Sequence, residues 1–375
     1  MDDVIKKGLS IVSELRDHGF EAYIVGGAVR DYHIGRKPKD VDVVTSASPE
    51  EIRTLYPHAF QINRQFQTLT VHLQKVAIEV STLRGGSIED DLCSRDFTIN
   101  AMALAMNGDI IDPTGGKTDL ENGVIRSFHP EARFKEDPLR MLRAPRFASE
   151  LGFTVAKGTA EAIKGSCSLL ADVAVERVEK ELTQLMIGTH RSSGWCLLHE
   201  TGLYPFIPGV SLSKETVLRM KEISRSPGLL PADGFWAILY LLENRSMKLP
   251  LAKEKKKRIR TIVHYVGERQ NHSWNETMLY QASLSVATVV EQIRALFGQA
   301  SVHEEELRQL WSSLPIQTRT ELAVTGRDVM AHFQKKGGPW LADTLADIEE
   351  AVLLKHIENE KKSIIQWLEE RRVES

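Results

Sequence analysis

The chain changes its hydrophobic period once. Up to about residue 125, segments with helical spacing alternate with short runs rich in β-branched residues. MDDVIKKGLSIVSELRDHGF at the start has helical spacing. YIVGG (Tyr23 to Gly27), DVDVV (Asp40 to Val44), TLTVHL (Thr68 to Leu73), VAIEVST (Val76 to Thr82) and GDIID (Gly108 to Asp112) read as strands. This alternation predicts a mixed helix and strand domain. From RFKEDPLRMLRAPRFASELGF (Arg133 to Phe153) onward the 3.6 period takes over, and the rest of the chain is expected to be all-helical. Pro and Gly punctuate it in GLYPFIPGV (Gly202 to Val210) and SPGLLPADG (Ser226 to Gly234). Seams are expected near Pro208, near Ser301 and in KKGGPW (Lys335 to Trp340). No fixed-period repeat occurs, which argues against a solenoid.

Length sharpens this to two or three domains, since 375 residues exceed one ordinary core. A composition of 42% apolar and 26% charged residues with a formal net charge of -3 is that of a globular protein without overall basic bias. Any nucleic-acid surface must therefore be a local patch. The densest basic run, KEKKKRIR (Lys253 to Arg260), reads either as a solvated helix face or as a phosphate contact. The six tryptophans lie in helical contexts and are expected to pack cores. Cys93, Cys167 and Cys196 are odd in number and far apart, so neither a disulfide framework nor a zinc site is expected. No secretory leader pattern and no run of about 18 apolar residues occurs, which points to a cytoplasmic protein without a membrane partner.

Candidate chemistry starts at GGAVRD (Gly26 to Asp31) and DVD (Asp40 to Asp42). Glycines after a strand let backbone approach a phosphate, and Arg30 would add a fixed cation. Side chains alternate along a strand, so Asp40 and Asp42 should project together while Val41 and Val43 face a core. Carboxylates so placed repel unless a cation lies between them, and hard oxygen ligands suit Mg²⁺. The alternative is an exposed strand with solvated aspartates, but aspartate is depleted in strands. Glu79, a lone acid in VAIEVST, is a third candidate ligand or an outward edge residue. A glycine turn, an arginine and paired strand carboxylates together describe a nucleoside triphosphate site with two metals, and the reaction class is nucleotidyl transfer.

Five motifs in order carry a resemblance: GGAVRD, DVD, SRDFTINAMA (Ser94 to Ala103), DPTGGKTDLENGVIRSF (Asp112 to Phe128) and FKEDPLRMLRAPRF (Phe134 to Phe147). Together they resemble the class II, bacterial-type tRNA nucleotidyltransferases, the CCA-adding enzymes with their CC-adding and A-adding relatives. The resemblance implies an α+β fold: a polymerase-β-like nucleotidyltransferase head with a mainly antiparallel sheet, then an all-helical neck, body and tail. The corresponding segments are 1–128 for the head, 129–208 for the neck that recognises the base, 209–300 for the body and 301–375 for a tRNA-binding tail. It also implies Mg²⁺ on Asp40 and Asp42, triphosphate contacts at Gly27, Arg30 and Arg95, and base reading by Asp137 and Arg140. Arg143 and Arg146 are further nucleotide-binding positions, and the partners are CTP, ATP if the last base is added, and the tRNA acceptor arm.

Helical geometry supports the base-reading positions independently. Residues three apart are neighbours on a helix, so Asp137, Arg140, Arg143 and Arg146 should form one polar stripe, with Leu139, Leu142 and Phe147 packing elsewhere. A carboxylate accepts from the exocyclic amine of cytosine or adenine and meets an oxygen on uracil or guanine. Taken singly, an i,i+3 surface salt bridge would explain each pair as well.

Three departures from the family pattern matter. Ser94 stands where the family carries a first arginine. Pro145 lies inside the arginine helix, where it should kink the backbone. From Arg84 the chain runs through GGSIEDDLC almost directly to Arg95, so most of the flexible loop associated in CCA-adding members with the switch to A addition is missing. That loss is the mark of CC-adding members, and CC addition is expected, with full CCA addition the alternative. A poly(A) polymerase is disfavoured by the acidic end QWLEERRVES, and an inactive tRNA-binding relative by the intact Asp40, Asp42, Asp137 and Arg140.

Overall fold

The computed structural model describes residues 2–63, 68–73, 76–226, 230–243 and 251–374. Residues 227–229 of the Ser226 to Gly234 punctuation lie outside them. Among the described residues the chain divides into two compact units, one up to Arg225 and one from Ser226 onward.

The first unit opens with α1 (Asp3–Asp17), whose first turn is capped by the Asp2 carboxylate accepting from the Val4 N–H at 3.0 Å. Its apolar face, Ile5, Ile11, Val12 and Leu15, is fully buried. Then come β1 (Ala22–Val25), α2 (Gly27–His33), β2 (Asp42–Thr45), α3 (Pro49–Leu55), β3 (Phe60–Asn63), β4 (Thr68–Leu73), β5 (Val76–Thr82), α4 (Ile88–Cys93), β6 (Ala103–Leu104), β7 (Ile110–Ile111) and α5 (Gly116–Glu121). The strands form one sheet in the order β3-β4-β5-β2-β1-β6-β7. Every pairing is antiparallel except β2 with β5, which is parallel and sets Asp42 opposite Glu79. A mainly antiparallel sheet was the expectation, and the parallel pair is its one exception. Val25, Val44, Ala103, Ile88 and Leu92 close an apolar cluster between the sheet and α4.

β2 starts at Asp42, so Asp40 stands on the exposed approach to the strand rather than inside it. The expected separation of faces holds for Val41 and Val43, which are buried.

Next follow β8 (Val124–Ile125), α6 (Pro130–Glu136), α7 (Leu139–Leu151), β9 (Thr154–Val155), α8 (Lys157–Ser166), α9 (Val175–Ile187), α10 (Arg191–Thr201) and α11 (Lys214–Ile223). Here two expectations fail. β9 pairs in parallel with β8, so the region after Arg133 is not wholly helical. Thr154 and Val155 are a two-residue strand, too short for any period to reveal. Asp137 is also outside α7: its backbone is extended, at φ -143° and ψ 95°. The cause is Pro138, whose ring disfavours helical geometry in the residue before it. The helical stripe therefore holds Arg140, Arg143 and Arg146 without Asp137. Within α7 the helix runs unbroken through Pro145.

The second unit is helical: α12 (Ala232–Glu243), α13 (Lys253–Glu268), α14 (Glu276–Ala282), α15 (Leu284–Leu296), α16 (Glu304–Ser312), α17 (Gly326–Phe333), α18 (Pro339–Leu353) and α19 (Lys361–Glu374). One apolar cluster joins Ile316, Val329, Ile348, Val352 and Ile364. The buried Glu291 carboxylate accepts from Arg269 Nε at 2.8 Å, Trp274 Nε1 at 2.9 Å and the Val302 N–H at 2.7 Å, so this buried charge is fully bonded. The basic run opens α13, where Arg258 pairs with Asp233 at 3.1 Å while Lys253, Lys257 and Arg260 are exposed. Trp195, Trp236 and Trp274 are buried, as expected of core tryptophans, and Trp311, Trp340 and Trp367 are half-buried. No helix among the described residues is long and apolar enough to cross a membrane.

Candidate active site

The site is a cleft of about 1380 Å³ within the first unit, bounded by the sheet on one side and α7 and α9 on the other. Gly26 ends β1 with φ +75°, a backbone conformation that glycine adopts without strain. A Cβ at this position would come 3.3 Å from Arg95 Nη1 and 3.5 Å from Asp42 Oδ2. Gly26 therefore marks where the turn, an arginine and an aspartate converge.

Asp42 faces the cleft with Glu79 across the parallel register and Asp40 nearby. Burial, then repulsion from Glu79 and Asp40, pushes its carboxyl up to about 6, against the pull of Arg95 and Arg143. Among the described residues no three of His, Cys, Asp and Glu stand close enough to hold a metal ion between them. The donor set suits a hard divalent cation that takes one or two carboxylates and completes its shell with substrate oxygens. Excess negative charge on Asp42 is what such a cation would relieve.

Around these acids the arginines are held by other acids. The buried Arg30 donates Nε to Asp31 Oδ1 at 2.9 Å and Nη1 to Asn100 Oδ1 at 2.8 Å. Arg95 donates Nε and Nη2 to the buried Asp91 Oδ2 at 3.0 and 2.8 Å, while Asp91 Oδ1 accepts the Arg84 N–H at 3.1 Å. Arg143 Nε lies 3.0 Å from Asp96 Oδ2. Burial alone would raise the Asp96 carboxyl, but Arg143, the Phe97 N–H, Asn100 and Arg140 together hold it below the usual carboxylate range. Arg146 pairs with Glu150 at 2.9 Å and Glu181 at 2.8 Å.

Phe147 does not pack away from this stripe. Its buried ring takes the Arg146 guanidinium at 3.6 Å from the centroid, with those of Arg30 and Arg143 at 5.4 and 5.6 Å.

Asp137 and Arg140, expected to work as a pair, are bonded to different partners. Asp137 receives both Nη atoms of Arg177 from α9, at 3.1 and 2.8 Å. Arg140 Nη1 donates to the Ser94 carbonyl at 3.0 Å and lies 3.1 Å from Glu136 Oε2. Ser94 donates its hydroxyl to the Asp91 carbonyl at 2.7 Å, so its backbone carbonyl rather than its side chain meets Arg140. Arg177, Asp91, Asn100 and Phe147 are the neighbours that sequence reasoning missed. For Arg177 a signal existed: ERVEKEL (Glu176 to Leu182) sets Arg177 and Glu181 four apart on an amphipathic helix, and both meet residues of the arginine motif.

Between β5 and Arg95 the chain makes a bend at residues 84–87 and the six residues of α4. Gly85 has φ +80°, and a Cβ there would fall 2.6 Å from that of Asp90. The Asp90 carboxylate closes the bend by accepting the Gly86 N–H at 3.2 Å. The connection is a compact, self-bonded turn.

All the positions singled out in the sequence, Gly27, Arg30, Asp40, Asp42, Glu79, Arg95, Asp137, Arg140, Arg143 and Arg146, line this one cleft. Carboxylates for a cation, glycine backbone and several arginines around one space can bind and polarise a polyphosphate.

Comparisons with known proteins follow the same lines. Residues 22–126 match the poly A polymerase head domain, 152–213 the RNA and SrmB-binding site of polymerase A, and 237–368 the tRNA nucleotidyltransferase domain 2. The CC-adding tRNA nucleotidyltransferase of Shouchella clausii is 37% identical in an alignment of 368 positions covering 96% of this chain and 97% of that protein. The CCA-adding enzyme of Geobacillus kaustophilus is 38% identical over 399 positions, covering 99% and 98%. Among solved structures, the Bacillus stearothermophilus CCA-adding enzyme in complex with CTP superposes with a TM-score of 0.84 at 36% identity, covering 99% of this chain and 98% of that one.

Proposed function

Because the chain belongs to the class II, bacterial-type tRNA nucleotidyltransferases, we propose that it adds CC to the 3′ end of tRNA from CTP, without a nucleic-acid template, and stops before the A. The observation that carries this reading is the closed turn from Arg84 to α4, which leaves no loop between β5 and Arg95. Alignment lengths support it. The alignment with the Geobacillus CCA-adding enzyme spans 399 positions, more than the 375 residues present here, so that relative carries segments this chain lacks. The alignment with the Shouchella CC-adding protein spans 368 positions over 96% of this chain, which leaves a much smaller excess in that relative.

In our reading the triphosphate of CTP lies on Gly26-Gly27 with Arg30 and Arg95 against its charge. The tRNA 3′-hydroxyl attacks the α-phosphate in line, the bond to the bridging oxygen breaks, and pyrophosphate leaves. Asp40 and Asp42 would hold Mg²⁺, which neutralises phosphate charge and lowers the pKa of the attacking hydroxyl. Asp137 accepts the cytosine amine and Arg140 donates to its ring acceptors, so uracil meets an oxygen against a carboxylate. Arg143 and Arg146, fixed on Phe147, complete the cationic wall. Residues 1–128 act as the head, 129–208 as the neck, 209–300 as the body and 301–375 as the tail that holds the tRNA acceptor arm, in the cytoplasm.

The test is to incubate tRNA lacking its 3′ CCA with CTP and ATP and sequence the products. Ends that stop at CC are expected. Efficient CCA ends would instead establish ATP as a second substrate and full CCA addition as the activity.

A further inference from the structure

Asp137 and Arg140 choose the base in the reading above, yet neither orients the other. Each is fixed by a third group. Arg177 reaches from α9 across 40 positions of sequence to grip the Asp137 carboxylate with both Nη atoms. A bidentate arginine fork fixes a carboxylate in plane as well as in position.

The bonds on Asp137 are unequal. Oδ1 accepts from Arg177 Nη1 at 3.1 Å and from the Leu139 N–H at 3.3 Å. Among the described residues Oδ2 accepts from Arg177 Nη2 alone, at 2.8 Å. A carboxylate oxygen has about two lone-pair sites, so Oδ1 is filled and Oδ2 keeps one open. Pro138 holds the Asp137 backbone extended, outside α7, where its side chain is free to meet α9. On the facing side Arg140 spends Nη1 on Glu136 and the Ser94 carbonyl.

We propose that Arg177 is a specificity-determining positioning residue: its fork turns Asp137 so that the open lone pair of Oδ2 meets the exocyclic amine of the incoming base. This inference rests on the reading that Asp137 recognises the base. Charge alone does not perform the task, since a lysine ammonium would attract Asp137 without setting its plane. Arg177 itself does not touch the nucleotide in this arrangement, so its loss acts through Asp137.

The experiment compares the full-length wild type with Arg177→Lys, Arg177→Met and Asp137→Ala. CTP and UTP incorporation into tRNA lacking CCA are measured separately, alongside tRNA affinity and melting temperature. The expectation for both Arg177 variants is a kcat/KM for CTP lowered by about ten-fold or more, the scale of one lost orienting hydrogen-bond pair. Their CTP-over-UTP ratio narrows, and tRNA affinity stays unchanged. Failure of lysine to rescue the ratio identifies the fork rather than the charge. If both Arg177 variants keep the wild-type ratio while Asp137→Ala loses it, the inference is overturned and base reading by Asp137 stands. An equal loss with both nucleotides also overturns it, because that marks a structural role. If Asp137→Ala keeps the ratio, base reading by Asp137 itself falls.

Discussion

Asp42 is held opposite Glu79 by a parallel register and near Asp40, and burial adds to their repulsion. Its carboxyl, pushed up to about 6, therefore ionises later in the folded chain than in the unfolded one, where about 4 is usual. A raised folded pKa contributes stability below pH 4 that is lost as pH rises through 6. Asp42→Asn should flatten that loss and raise the melting temperature of the cation-free protein at pH 7.5. The same change should lower CMP incorporation by about 100-fold or more, the scale of losing a principal electrostatic partner of a transition state. Thermal melts from pH 4 to 8 without divalent cation, with an activity assay in its presence, check both halves. Unchanged melts together with wild-type incorporation would remove Asp42 from the chemistry. This residue was legible in the sequence because an aspartate in an apolar strand contradicts local propensity. Arg177 left only a partial trace: its spacing to Glu181 marks a helix face, but its partner Asp137 lies 40 positions away, and each residue alone reads as a surface charge.

At the scale of elements, α4 and the bend before it do more than shorten a connection. Asp91 near the middle of α4 holds the Arg95 guanidinium on one oxygen and the Arg84 backbone on the other. Removing a buried partner of an arginine typically costs about 3–5 kcal/mol, because the remaining charge is left uncompensated. Here Arg95 is partly exposed, so Asp91→Asn should cost less than that range, visible as a lower urea midpoint. It should also raise the KM for CTP, as Arg95 loses its fixed position. A variant with normal stability and normal KM would show that the Asp91 anchor is dispensable. β1, β2, β4, β5 and β7 and the helical character of most of the later chain were legible from period and β-branched composition, whereas β3, β6 and β8 were not singled out. The two-residue β9 was too short to carry a period. Asp137 left the helical stripe because Pro138 overrode a pattern that took spacing as proof of helix. The Asp137 correction comes from local backbone chemistry, whereas β9 is defined by its pairing with β8 about 30 residues earlier in the chain.

Across the whole molecule, net charge conceals how charge is distributed. Lys37 and Lys39 stand exposed at the cleft mouth, and among the described residues neither has a carboxylate within salt-bridge distance. Cations of this kind meet phosphates of a bound RNA, and each such contact steepens the salt dependence of binding by about one counterion. Lys37→Gln with Lys39→Gln should therefore lower the slope of log affinity for tRNA against log salt by about 1–2, measured by filter binding. An unchanged slope would take both lysines out of the tRNA footprint. Deeper in, Arg30, Arg95, Arg140, Arg143, Arg146 and Arg177 each already face an acid of the protein. The cleft thus resembles an ion-exchange resin loaded with its own counter-ion. On the proposed function, an arriving triphosphate would displace or share resident carboxylates instead of meeting bare cations, which would moderate its grip. In the proposed reaction, once pyrophosphate is cut free the same carboxylates would compete to retake their arginines, so the protein would carry its own eluent and clear the cleft for the next nucleotide.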